Sequence, residues 1–199
     1  MKYFAQIMSL MFHPLLLPLY GLFFIFNSDS VFSLIPMPVK LYCYAITIFF
    51  VLVMPLLSLP VFKKLKLINS YYLETSQERV YPALGAIFFA FIGFYIIRTF
   101  PYTNVVQQLY LVLIIVLAGF SIVTIRWKMS MHMTAMGAVC GFLFILGFKY
   151  LGDIQITLPV MFLISGILAS SRLYLEKHNP AQVYAGYLFG LVFVIFILF

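Results

Sequence analysis

Charge is what this chain has least of: its 199 residues include 12 Lys and Arg and 5 Asp and Glu, while 65% are hydrophobic. A soluble domain carries about 25% charged residues, so a soluble enzyme, a nucleic-acid binder and a disordered segment are all excluded. The formal net charge of +7 forms no basic stripe of the kind that follows a phosphate backbone. Cysteine is equally scarce. Cys43 and Cys140 both fall inside apolar runs, which excludes a disulfide framework and points to packing. There is no repeat at the 20–50 residue scale, and apart from 27–40 and 62–79 the polar connections are too short to hold a soluble domain.

What is present is a series of apolar runs, at about 5–26, 41–61, 80–97, 105–125, 131–148, 154–170 and 180–199. Crossing a bilayer takes about 20 helical residues, so the sequence predicts an all-α, multi-pass transmembrane bundle of six to seven spans, one integral membrane domain over 1–199. The first run has no small-residue cleavage site behind a basic start and reads as retained rather than as a signal peptide. It contains His13-Pro14 and Pro18, which can break it into a half-helix or an interfacial helix; that would leave six full crossings. Most of the 23 Phe and 14 Tyr are then lipid-facing, packing or interface residues.

Membrane parity gathers polar residues from distant stretches. An even number of crossings separates 62–79, 126–130 and 171–179, so Arg79, Arg126, Lys128, Ser130, His132, Arg172 and His178 share one face, and Lys40, Arg98 and Lys149 the other. Cations at span ends usually act as orientation anchors. Two histidines among them are harder to explain that way, because ionisable groups at membrane depth are costly. The five carboxylates, Asp29, Glu74, Glu78, Asp153 and Glu176, show no ligand spacing with a histidine, so no metal or other cofactor is implied. Two imidazoles with several fixed cations suit phosphoryl transfer through a phosphohistidine: one ring attacks phosphorus, and the other protonates the leaving oxygen and later activates water. Guanidinium forks and the amides at a helix start donate to the phosphoryl oxygens.

At these residues the chain resembles the type 2 phosphatidic acid phosphatase family of membrane lipid phosphatases, whose signatures are K-x6-R-P, P-S-G-H and S-R-x5-H-x3-D. The third reads here as Ser171-Arg172, five residues, His178, three residues and Gln182; the second survives as Ser130-x-His132, and the first as Arg79-Val-Tyr-Pro82. The resemblance runs from about Arg79 to Gly190. It implies His178 as nucleophile, His132 as acid for the leaving group, and Arg79, Arg172 and Ser130 as phosphate holders. Tyr72 stands where the first signature has Lys, with Lys128 the candidate to replace that charge, and Gln182 stands where the third has Asp. Gln182 also fits a local pattern, since Asn179, Pro180 and Gln182 form a capping-box helix start. The Gly186 and Gly190 spacing suits close helix packing.

The sequence therefore points to a membrane phosphatase acting on a lipid phosphate or isoprenoid diphosphate among membrane lipids. Two alternatives are a non-catalytic lipid-phosphate binder or transporter of the same fold, and a structural membrane protein. With all seven runs crossing, nine cations (residues 2, 63, 64, 66, 79, 126, 128, 172 and 177) lie on the motif face and three opposite. The positive-inside rule then puts that face in the cytoplasm, although members of the resembled family that act on envelope lipids commonly face outward. An impermeant thiol reagent applied to intact cells is expected to leave a Lys64→Cys protein unlabelled; labelling would put the motif face outside.

Overall fold

The computed structural model describes residues 1–71, 75–150 and 154–199; Tyr72, Glu74 and Asp153, named above, lie outside the described residues. The protein is all-α. Its helices are α1 (Lys2–Met11), α2 (Leu17–Asn27), α3 (Met37–Lys64), α4 (Ser76–Ile97), α5 (Asn104–Thr124), α6 (Met131–Tyr150), α7 (Thr157–Tyr174) and α8 (Pro180–Leu198). Six of the described helices, α3 to α8, are long and apolar enough to cross a membrane, as an integral membrane protein requires. Phe88, Phe91, Tyr95, Leu163 and Phe196 on these helices are exposed, which lipid tolerates and water does not.

The first apolar run is broken, as His13-Pro14 predicts. Pro14 has no N–H to continue the ladder, and the chain between α1 and α2 closes in turns, with the N–H of His13 donating to Leu10 O (3.2 Å) and that of Leu16 to His13 O (2.8 Å).

Two compact units divide the chain. The unit of residues 37–128 holds α3, α4 and α5. Its α3 widens to a π-helical stretch over Ile48–Val53; the ring of Pro55 obstructs the carbonyl of Val51 and withholds a donor, so the ladder must slip there. Thr47 and Tyr110 join their hydroxyls at 3.0 Å inside this unit. At the start of α4, Thr75 and Glu78 form a reciprocal capping box, and the Glu78 carboxylate also accepts the N–H of Asn69 at 2.8 Å. That carboxylate is therefore engaged in holding a helix start.

The other unit, residues 1–36 and 129–199, holds α1, α2, α6, α7 and α8. Its tightest pairing is α6 against α8, and glycines are the reason. A Cβ on Gly190 would run into Thr134 O, and one on Gly137 into Tyr187 O. Added carbons on Gly186 and Gly141 would lie 2.8 Å from Ser130 O and 2.7 Å from Leu191 O. Two glycines on each helix thus let the backbones touch, the small-residue packing that membranes favour in place of hydrophobic driving force. The start of α6, the end of α7 and the start of α8 then meet at one end of the unit.

Gly190→Ala is accordingly expected to destabilise the detergent-purified protein by about 1–3 kcal/mol or more. Gly166→Ala, with nothing within 4 Å of the added carbon, should be neutral or slightly stabilising. Thermal unfolding of the two proteins checks this, and equal melting temperatures would refute the close-contact account.

Candidate functional site

The end of α7 explains the five-residue spacing between Arg172 and His178. Lys177 N–H donates to Arg172 O (3.3 Å) and Glu176 N–H to Leu173 O (2.9 Å), with Glu176 in the left-handed region at φ 51°. This is the Schellman closure of a helix end. The chain reverses within it, so His178 returns to the end of the bundle where Arg172 sits.

His178 then precedes α8, which starts as its sequence predicts. Asn179 is the N-cap and its Oδ1 accepts the N–H of Gln182 at 2.9 Å. Gln182 Oε1 accepts the N–H of Asn179 at 3.3 Å and also meets His178 Nδ1 at 3.0 Å. The amide oxygen can only accept, so His178 Nδ1 carries a proton, and in the neutral ring Nε2 keeps the lone pair. Gln182 thus both caps the helix and hydrogen-bonds the ring of His178, which is buried.

Ser130 and His132 come to the same end through α6. Ser130 N–H donates to Gln182 O (3.2 Å), tying the start of α6 to the first turn of α8. The Ser130 hydroxyl is buried without a hydrogen-bond partner among the described residues. His132 lies within electrostatic reach of Arg172, His13 and His178. Its Nε2 meets Ser9 O at 3.1 Å, and Arg172 donates from a terminal nitrogen to Ser9 Oγ at 3.3 Å.

Ser130, His132, Arg172, His178 and Gln182 therefore share one unit. Arg79 and Lys128 belong to the other, Arg79 in the first turn of α4 and Lys128 at the unit's last residue, both half-buried. Two residues join the site that sequence reasoning does not place there. Ser9 touches both His132 and Arg172, and the His13 ring stands edge-on to that of His132, with centroids 5.4 Å apart and planes at 84°. The signal for His13 was the one used for the other two histidines, an ionisable group inside an apolar run; its neighbour Pro14 gave it a simpler explanation as a helix breaker. Among the described residues no group of His, Cys, Asp or Glu is arranged to hold a metal ion.

No protein-family model matches the chain, and no curated protein or solved structure matches it.

Burial first, and the Arg172 guanidinium second, hold the His13 imidazole below its ordinary value of 6.5. His13 is thus neutral at pH 7, and because its Nδ1 accepts the N–H of Leu15 at 3.3 Å, its proton sits on Nε2. A depressed histidine pKa means the unfolded chain binds the proton first. The associated stability is complete above pH 6.5 and is lost as the pH falls below it toward the lower folded value. Unfolding temperatures taken from about pH 7.5 to about pH 5 should fall less steeply for His13→Gln than for the wild type; parallel curves would contradict a buried, cation-flanked His13.

Proposed function

We propose that this protein is a membrane-embedded phosphatase that hydrolyses a lipid phosphate or isoprenoid diphosphate through a phosphohistidine, with His178 as nucleophile. The observation that carries this reading is the bond from His178 Nδ1 to Gln182 Oε1, which puts the ring proton on Nδ1 and the lone pair on Nε2 in a histidine within electrostatic reach of His132. In the first step Nε2 attacks phosphorus and the bond from phosphorus to the leaving oxygen breaks. That oxygen takes a proton from His132. In the second step water attacks the phosphohistidine, gives a proton to His132, and phosphate leaves as the P–N bond breaks. Arg172 is assigned to the phosphoryl oxygens. The Ser130 hydroxyl would gain from a phosphoryl oxygen the partner it lacks, since a buried polar group left unpaired costs about 1–3 kcal/mol.

The lipid tail would remain among the apolar helix faces while its head reaches the cations. By its excess of Lys and Arg, the motif face is assigned to the cytoplasmic side of the cell membrane. Gln182 favours one alternative. A neutral amide fixes the tautomer of His178 but stabilises a developing imidazolium less than a carboxylate does, which suits a lipid-phosphate binder of the same fold that does not turn over.

Phosphate release from a panel of lipid phosphates separates the two. His178→Ala is expected to abolish release and His132→Ala to lower it by about 10²–10⁴, with binding largely retained in both. Arg172→Ala should weaken binding as well as rate, because its bonds are made in ground and transition states alike. Gln182→Asp is expected to speed phosphoenzyme formation in single-turnover measurements and Gln182→Leu to slow it. Equal rates for all three residues at 182 would remove that position from the chemistry, and full turnover by His178→Ala would end the phosphohistidine reading.

A further inference from the structure

The carbonyl that meets His132 is free for a reason. Ser9 lies in the last turn of α1, where the final carbonyls lack intrahelical donors. The N–H that would normally serve Ser9 O is that of His13, four residues on, and it donates instead to Leu10 O at 3.2 Å. Pro14 has no N–H to offer. The His13-Pro14 break thus leaves the Ser9 carbonyl open at the negative end of the α1 dipole, and there it meets His132 Nε2 and stands beside Arg172.

A carbonyl oxygen accepts and never donates, so the His132 nitrogen facing it must carry hydrogen. The described hydrogen bonding of His132 ends there, leaving Nδ1 as the other ring nitrogen. The His13 ring, edge-on at 5.4 Å and itself held by the Leu15 N–H, limits rotation of the His132 plane.

We propose that the N-terminal segment completes the reaction centre, with Ser9 and His13 as positioning residues that hold the His132 proton on Nε2 and make Nδ1 the atom that exchanges protons. The proposal rests on the reading of His132 as the acid for the leaving group. In balanced form, Nδ1–H gives its proton to the leaving oxygen while Nε2–H stays bonded to Ser9 O; the emptied Nδ1 then takes a proton from the attacking water, which restores the starting ring. The C-terminal end of the α1 dipole places a partial negative charge beside His132.

The test uses full-length protein with ¹⁵N-labelled histidine in lipid nanodiscs, with the His132→Asn protein to identify the resonances of His132. Near pH 8, above the ordinary range of histidine, His132 is expected to show a protonated Nε2 and an unprotonated Nδ1. A protonated Nδ1, or an average of the two tautomers, would overturn the proposal. This arm needs no turnover, so it stands apart from a failure of the phosphatase reading, which would appear as no phosphate release by the wild type. Where release occurs, His13→Ala should lower kcat by about 10- to 100-fold, the size of a misplacement effect, with KM changed less than about twofold. His13→Phe, which restores an edge-on ring, should recover most of that loss. An unchanged kcat in His13→Ala, or a Phe protein as slow as the Ala protein, would show that residue 13 does not position His132.

Discussion

The contact between α6 and α8 through four glycines sets where every other group at the site can be. Helix axes this close bring the Ser130 amide onto the carbonyl of Gln182 and so fix the starts of the two helices against each other. One start carries His132 and the other His178. In lipid, helices gain little from hydrophobic association and must rely on packing and hydrogen bonds, so a carbon added at Gly190 would push on Thr134 O in the same first turn of α6 that carries His132.

Against that fixed pair, the cations are arranged by helix ends. The interrupted α1 presents the Ser9 carbonyl to His132 and the Ser9 hydroxyl to Arg172, which the end of α7 carries there. Three imidazoles and a guanidinium stand within electrostatic reach of one another, and under the proposed function a phosphate group is the anion they would bind. This is the physical content of the proposed function, and it accounts for a buried Ser130 hydroxyl that otherwise stands alone.

The spans were legible in the sequence because hydropathy reports directly on transfer from water to lipid. The run at 131–148 became Met131–Tyr150 and that at 180–199 became Pro180–Leu198. The break at His13-Pro14, the capping box of Asn179 and Gln182, and the packing use of Gly186 and Gly190 were also readable, since each is a local rule. What hydropathy omits is which helix faces which. Only the fold shows that Gly137 and Gly141 face Tyr187 and Leu191 of α8, and the Ser9 carbonyl is a backbone atom that no side-chain pattern announces. His13 shows the same limit, because a proline beside it offered a sufficient local explanation.

The central claim is that His178 forms a covalent bond to phosphorus, and its most direct test is to trap that bond. Purified protein mixed with a short-chain lipid phosphate and quenched in base within one turnover is expected to yield a peptide spanning Lys177 to Tyr187 that carries phosphate on His178, labile to acid and absent from His178→Ala. Phosphate release without any phosphorylated His178 peptide, in a quench fast enough to precede hydrolysis, would contradict the account.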